Sequence, residues 1–211
     1  MARKIVKYLL LTIVIGLLAY KSVFIIKLSE LQTIEPKAFD APAFVQQLWD
    51  NKLPARLDSA LTLDSLQVAL KANASQAFDR YFNSMSIGNV RYGLIKLTGK
   101  VLSVNEDDVV LLTGSKDNQY TVKIATEYVY GNALRDASRL VDIKDFVNTT
   151  DLNKISEEMN KRVRTKVLPA FKGTVKKDDS VICTGAIELN QAHYSLDDLE
   201  IIPVQCKIIQ P

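Results

Sequence analysis

Sulfur and imidazole are scarce in this chain. It has two cysteines, Cys183 and Cys206, and one histidine, His193, so no Cys/His metal site of the usual spacings can be assembled. Phosphate-cradling glycine loops and serine nucleophile elbows are absent too, and nothing in the sequence asks for a cofactor. A surplus of one charge is also missing: 27 lysines and arginines face 24 acids, and Arg3, Lys4 and Lys7 account for much of the excess. Without a basic patch there is no electrostatic footprint for nucleic acid. Neighbouring carboxylates do occur, at Asp107–Asp108, Glu157–Glu158 and Asp197–Asp198. In turns or on an exposed helix face such pairs are ordinarily solvated surface, and His193 has no acid or base near it in sequence. The chain is therefore read as a non-enzyme.

What it has in quantity is apolar sequence at the N-terminus. Tyr8 to Tyr20 (YLLLTIVIGLLAY) carries no charge, and Ser22 to Ile26 continue the run after a single Lys21. The uncharged core alone suits a signal peptide, since a full span needs roughly 20 residues. With the Lys21 ammonium snorkelling toward the headgroups, Ile5 to Ile26 becomes long enough to cross about 30 Å of hydrocarbon at about 1.5 Å per residue. Both readings export the remainder. A signal-peptidase site wants small residues in an A-x-A-like pattern, which Leu17-Leu18-Ala19-Tyr20-Lys21 does not offer. Tyr20 stands where a lipoprotein signal would place its cysteine. The expectation is an uncleaved signal anchor over residues 1–28, with its N-terminus inside by the positive-inside rule. That puts the rest of the chain in the cell envelope, anchored to the inner membrane and facing the periplasm.

Residues 29–83 read as a helical layer. Leu28 to Lys37 is a polar connector, Asp40 is a good N-cap, and Phe44, Leu48 and Trp49 share a face expected to bury Trp49 against a sheet. That helix should end near Asn51, ahead of Pro54. Thr62 and Ser75 look like the caps of two further helices, carrying Leu63, Leu66 and Leu70 and then Ala77, Phe78, Tyr81 and Phe82. Residues 84–211 switch to strands: Val90–Val104, Val109–Thr113 and Gln119–Thr126, joined by turns at Asn105–Asp108 and Gly114–Asn118. A loop-rich stretch from Glu127 to Thr150 has room for one more strand around Leu140–Val147. Asp151 then opens a helix that Pro169 stops, and strands Ser180–Leu189 and Leu199–Ile209 close the chain. Three strands, a helix and two strands is the order of the five-stranded Greek-key OB barrel. The fold class is α+β, an OB-like βββ-α-ββ barrel with an N-terminal helical layer; a half-open sheet with helices on one face is the alternative. Residues 29–211 are expected to form one unit.

The last two strands make a statement about sulfur. A hairpin centred near Tyr194 and Ser195 sets Cys183 opposite Cys206, with Val181, Cys183, Gly185 and Ile187 facing inward on one strand and Ile202, Val204, Cys206 and Ile208 on the other. An oxidising envelope permits a disulfide there; two reduced, buried thiols are the alternative.

Phe39-Asp40-Ala41 with Trp49, Gly131-Asn132-Ala133-Leu134-Arg135-Asp136, Phe146-Val147-Asn148 with Asp151, and Gly185-Ala186 before an Ile-Pro-Val strand resemble an uncharacterised bacterial family of predicted periplasmic lipoproteins, often encoded beside sugar ABC transporters. The likeness spans nearly all of the exported part, and Tyr20 departs from it where the lipid-acceptor cysteine would stand. The resemblance implies a place and a neighbourhood rather than a chemistry: an accessory or binding protein associated with sugar transport, with a transporter component as partner and the membrane held through the N-terminal helix.

From the residues themselves, the candidate ligand site is Asn132, Arg135, Asp136, Asn148 and Asp151, with Tyr128 and Tyr130 to stack on a ring. Arginine beside carboxylates and amides can hold sugar hydroxyls through paired hydrogen bonds, and rims are where OB-type folds take oligosaccharides. The same residues also suit a structural loop: an ion pair, a left-handed position and a helix cap. The two function classes are thus a protein-binding accessory protein and a carbohydrate-binding module. A broad apolar patch on the helical layer would favour the first, and a pocket lined by tyrosine and tryptophan with convergent amides the second.

Overall fold

A computed structural model describes residues 2–22, 39–115 and 118–209. The connector Leu28–Lys37, the 28/29 boundary and the centre of the Gly114–Asn118 turn lie outside the described residues. The chain divides into two units between Phe39 and Asp40, each taken here by itself.

The first unit holds α1 (Ala2–Ser22), 21 residues long. Its Ile5–Ser22 segment is long and apolar enough to cross a membrane. Its two aliphatic hydroxyls are satisfied within the helix, Thr12 Oγ1 donating to the Tyr8 carbonyl at 2.9 Å and Ser22 Oγ to that of Leu18 at 2.6 Å, as hydrocarbon requires of polar groups at that depth.

The second unit opens with α2 (Ala41–Asn51), α3 (Leu53–Asp58), α4 (Leu63–Ala72) and α5 (Ala74–Tyr81). Side chains satisfy the orphan amides at the starts of α2, α4 and α5. Asp40 accepts from the Ala43 amide at 3.0 Å, and Thr62 from that of Ser65 at 3.2 Å. At α5 the cap is Asn73, bonded to the Gln76 amide at 3.0 Å, not Ser75. Trp49 departs from expectation. The buried stripe of α2 is Ala41, Val45 and Leu48, with Phe44 and Trp49 half-buried. The reason is the partner: α2 packs on the later helix α7 (Thr149–Arg162) rather than on the sheet. Phe44 meets Phe146 edge to face at 5.7 Å, a favoured aromatic geometry.

Five long strands follow the expected order: β3 (Val90–Val104), β4 (Asp108–Ser115), β5 (Asn118–Ala125), β6 (Ser180–Asn190) and β7 (Leu199–Ile209). Two-residue strands β1 (Leu61–Thr62) and β2 (Phe82–Asn83) pair with β3, giving a seven-stranded mixed sheet among the described residues. The five long strands pair in a ring, β3 to β4 to β5 to β7 to β6 and back to β3. Closure is uneven. β3 and β6 pair from Val90–Asn190 to Lys100–Ser180, whereas β5 and β7 meet in parallel only from Val122–Leu199 to Ile124–Ile201. A single long β3 serves both halves because it bulges between Val101 and Ser103, which turns its end toward β4.

Alternation along these strands fills the interior with Ile95, Leu97, Val101, Val109, Leu111, Val122, Ile124 and Ile187, capped by Leu63, Leu66, Leu70 and Phe78 from α4 and α5 and by Phe171. On β7 the expected inward set needs correcting. The register slips from Thr184–Gln205 to Gly185–Pro203, so Val204 is an extra residue and the parity changes there. Leu199 and Ile201 are therefore buried and Ile202 is not. At this slip a Cβ on Gly185 would lie 2.1 Å from the Ile202 carbonyl, so only glycine fits. Beyond the slip Cys183 faces Cys206 with Cα atoms 4.2 Å apart, and the two are joined in a disulfide.

The stretch from Glu127 to Thr150 carries no strand at Leu140–Val147. It holds α6 (Ala133–Ser138), whose six residues are all buried, and a single 3-10 turn at Ile143–Asp145. α7 starts at Thr149 under an Asn148 cap, two residues before Asp151. Nor does Pro169 stop the helical path. A π turn over Val163–Val167 precedes α8 (Leu168–Lys172), and the proline falls in the first turn of α8, where its missing N–H costs nothing.

Candidate functional site

The seven residues proposed from the sequence go to three places. Arg135 and Asp136 lie on α6, which packs against β3, β6 and α7, and they are 3 % and 0 % exposed. Arg135 Nε donates to Asp136 Oδ1 at 2.7 Å, and its Nη1 donates to the Leu152 carbonyl at 3.2 Å. The second carboxylate oxygen of Asp136 accepts from the Met85 amide at 3.0 Å. Buried charges persist only when paired and hydrogen-bonded in this way, and these two have no surface left for a ligand. Asn148 and Asp151 form the cap of α7: the Asp151 amide donates to Asn148 Oδ1 at 3.0 Å, and Lys154 Nζ pairs with Asp151 Oδ1 at 3.1 Å.

Tyr128, Tyr130 and Asn132 remain together. They border a cleft of about 660 Å³ beside the β6–β7 connection, also walled by Tyr92, Glu188 and Glu200. Tyr128 and Tyr130 are 65 % and 64 % exposed, an unusual state for two large rings so close in sequence. Gly131, at φ +77°, turns the chain between Tyr130 and Asn132, a conformation that favours glycine. The Arg164 guanidinium stands 5.0 Å from the Tyr130 ring centroid and donates to the Val129 carbonyl, which steadies the ring from one side.

A second cleft of about 320 Å³ shares Tyr130, Gly131 and Asn132 with the first and is walled by Asn153, Glu157 and Asn160 of α7. Asn160 is buried; its Nδ2 donates to the Gly131 carbonyl at 2.9 Å while its Oδ1 accepts from no donor among the described residues. Asn132 Oδ1 accepts from Ser156 Oγ at 2.9 Å. The Tyr130–Asn132 segment is thus a ridge between two polar hollows.

Electrostatics in the larger cleft follow from register. Tyr92 on β3 and Glu188 on β6 are cross-strand partners. Burial, then the Glu188 charge, push the Tyr92 phenol above its ordinary value, and its O–H donates to that carboxylate. Burial likewise raises the Glu200 carboxyl, with Lys123 opposing the shift. Lys123 itself pairs with Asp198 at 2.6 Å. The cleft presents acceptors and aromatic faces with little positive charge, a lining suited to hydroxyl donors. Among the described residues no group of three or more His, Cys, Asp or Glu side chains could hold a metal ion.

The sequence reading missed Tyr92, Glu188, Glu200 and Asn160. Tyr92 and Glu188 sit at outward positions of alternating strands, and that alternation is the one signal that could have found them. Trp49 lines neither cleft.

A five-strand ring with a parallel closure and a site beside the last hairpin defines an OB-type domain, here behind an apolar N-terminal helix. Comparison with solved structures agrees on the fold. An OB-fold protein from Thermotoga maritima is similar over 82 % of this chain and 100 % of that one, at 20 % identity and a TM-score of 0.69. Part of the Stn1–Ten1 complex of S. pombe, at 13 % identity over 61 % and 71 % of the two chains, has a TM-score of 0.26, too low to carry an argument. The comparison with curated proteins returns no match. The chain belongs to the family described as "Predicted periplasmic lipoprotein (DUF2291)", whose profile matches residues 13–207.

Proposed function

We propose that the protein is a non-catalytic binding protein tethered to the inner membrane by α1, facing the periplasm, and that it holds a saccharide in the cleft between Tyr128, Tyr130 and the β6–β7 connection. One observation carries this reading: two exposed tyrosine rings flank a cleft whose other polar groups are mostly amides and carboxylates, with Tyr92, His193 and Ser195 among them. Sugar rings stack on aromatic faces through their C–H surfaces while their hydroxyls donate to such acceptors. The volume, about 660 Å³, fits an ordinary small-ligand site of roughly 300 to 1,000 Å³. OB folds use the corresponding loop between their last two strands for oligosaccharides. Tyr20 in place of a lipid-acceptor cysteine makes α1 the tether, since Cys183 and Cys206 are bonded to each other in the second unit.

Placement beside a sugar transport system follows from the same proposal. A tethered saccharide site would sample or deliver ligand at the membrane face where a transporter component works. The test is isothermal titration of the full chain in detergent against neutral hexoses, pentoses and their di- and trisaccharides. The proposal expects saturable binding by at least one of them that Tyr130→Ala abolishes; no heat from any member of the panel contradicts it.

A further inference from the structure

Three arginines from three separate segments converge on a cavity that shares no lining residue with the tyrosine cleft. Arg56 of α3, Arg80 of α5 and Arg139, just past α6, line a hollow of about 130 Å³ together with Ser59. Among the described residues no aspartate or glutamate lines it. None of the three arginines makes an ion pair among the described residues.

Backbone carbonyls hold them in place instead. Arg56 Nε donates to the Ser138 carbonyl at 2.8 Å, and Arg139 Nη2 donates to the carbonyls of Asp79 and Phe82. Each contact fixes one edge of a guanidinium and leaves the other N–H groups of that fork without a carboxylate. Arg80 stands 5.5 Å from the Tyr81 ring centroid, so its plane too is positioned. Arg139 is held in the left-handed region, at φ 54°, a conformation few non-glycine residues adopt. Arg80 and Arg139 are exposed and Arg56 is half-buried, so water screens much of their mutual repulsion, and an anion among them would lower it further. Burial, and secondarily the nearby Arg56 charge, hold the Arg139 guanidinium below the ordinary arginine value.

We infer that this hollow is an oxyanion site for a phosphate group, gripped by the Arg56, Arg80 and Arg139 forks with the Ser59 hydroxyl beside them. Planar guanidinium forks match phosphate oxygens in pairs, which a single lysine cannot do. The size agrees: about 130 Å³ is well below the roughly 300 to 1,000 Å³ of a site that encloses a whole small molecule. The phosphate is therefore either a free anion or the exposed head of a larger molecule.

The test uses the full chain in detergent, with thermal melting followed against inorganic phosphate, glycerol phosphate and the diester glycerophosphoglycerol, each compared with chloride at matched ionic strength. Arg80→Gln is the informative variant, because Arg80 holds no backbone carbonyl and its loss should leave the unliganded melting temperature in place. The inference expects an oxyanion to raise the melting temperature beyond chloride, and Arg80→Gln to weaken its apparent affinity about tenfold, with Arg80→Lys recovering only part. A response to phosphate and the monoester assigns a free phosphate ligand; one confined to the diester assigns a lipid headgroup. Melting no different from chloride with all three compounds overturns the inference, as does an undiminished response in Arg80→Gln.

Discussion

Within a dozen residues the chain treats polar side chains in two opposite ways. From Tyr128 to Asn132 it leaves two rings in solvent and bends at Gly131 so that they border a cleft. From Ala133 to Ser138 it buries every residue, including an arginine and an aspartate bonded to each other. Chemical type does not separate the two groups; their packing partners do. α6 is covered by β3, β6 and α7 at once, so its charges must satisfy one another, while Tyr128 and Tyr130 lie ahead of that helix in solvent, with Arg164 against the Tyr130 ring. An Arg-Asp pair beside a glycine is thus the rigid floor of this region, and the tyrosines are its working face.

The sharpest way to break that comparison is Asp136→Ala. It leaves the Arg135 charge buried without its carboxylate and the Met85 amide without an acceptor, and should cost about 3 to 5 kcal/mol of unfolding free energy in a denaturant titration. A cost below about 1 kcal/mol would mean that α6 is not a buried floor. Replacing both members with apolar residues, Arg135→Met with Asp136→Leu, should cost less than either single loss, because a buried pair is costly to halve but not to remove whole.

Next in size is the disulfide. Cys183 and Cys206 close a loop of sequence separation 23 between the last two strands, and reduction should lower stability by about 2 to 4 kcal/mol. Thiol titration of the denatured, unreduced protein should find no free thiol; two would contradict the pairing. The mutation Tyr128→Ala should do the reverse of Asp136→Ala, changing stability by less than about 0.5 kcal/mol while weakening saccharide binding.

The smallest expected effect is electrostatic. Because the Glu200 carboxyl is raised in the folded state, folding favours its protonated form. Its contribution to stability is full below the ordinary glutamate value and is lost as pH rises through the raised one. Glu200→Gln should therefore melt slightly higher than wild type near pH 7, and the gap should close on acidification to about pH 4. A gap that persists in acid would assign the effect to something other than ionisation.

Strand positions were legible because alternating apolar residues and turn residues such as Asn105–Asp108 act locally. The opposition of Cys183 and Cys206 followed from counting outward from the centre of the last hairpin. Where reading failed, the deciding contact was distant. Trp49 stands off the buried stripe of α2 because that helix meets α7, which is about a hundred residues away in sequence. Ile201 rather than Ile202 faces inward because β7 carries one extra residue at Val204, a slip imposed by the close approach at Gly185. α6 was unreadable as a helix: six residues give too few turns for a period to register, and two of them are charged. The site was half legible for the same reason. Its tyrosines and Asn132 are neighbours in sequence, but Tyr92, Glu188 and Asn160 reach the clefts through sheet pairing and helix packing alone.

The most direct test sets the two regions side by side in one calorimetric titration: the same saccharide panel against wild type, Tyr130→Ala and the Arg135→Met, Asp136→Leu double variant, each as the full chain in the same detergent. The account predicts that the double variant, where it folds, binds the wild-type ligand with unchanged affinity, and that Tyr130→Ala folds normally and binds none. Binding retained by Tyr130→Ala but lost in a folded double variant would contradict it, placing the ligand on the buried pair instead of the cleft.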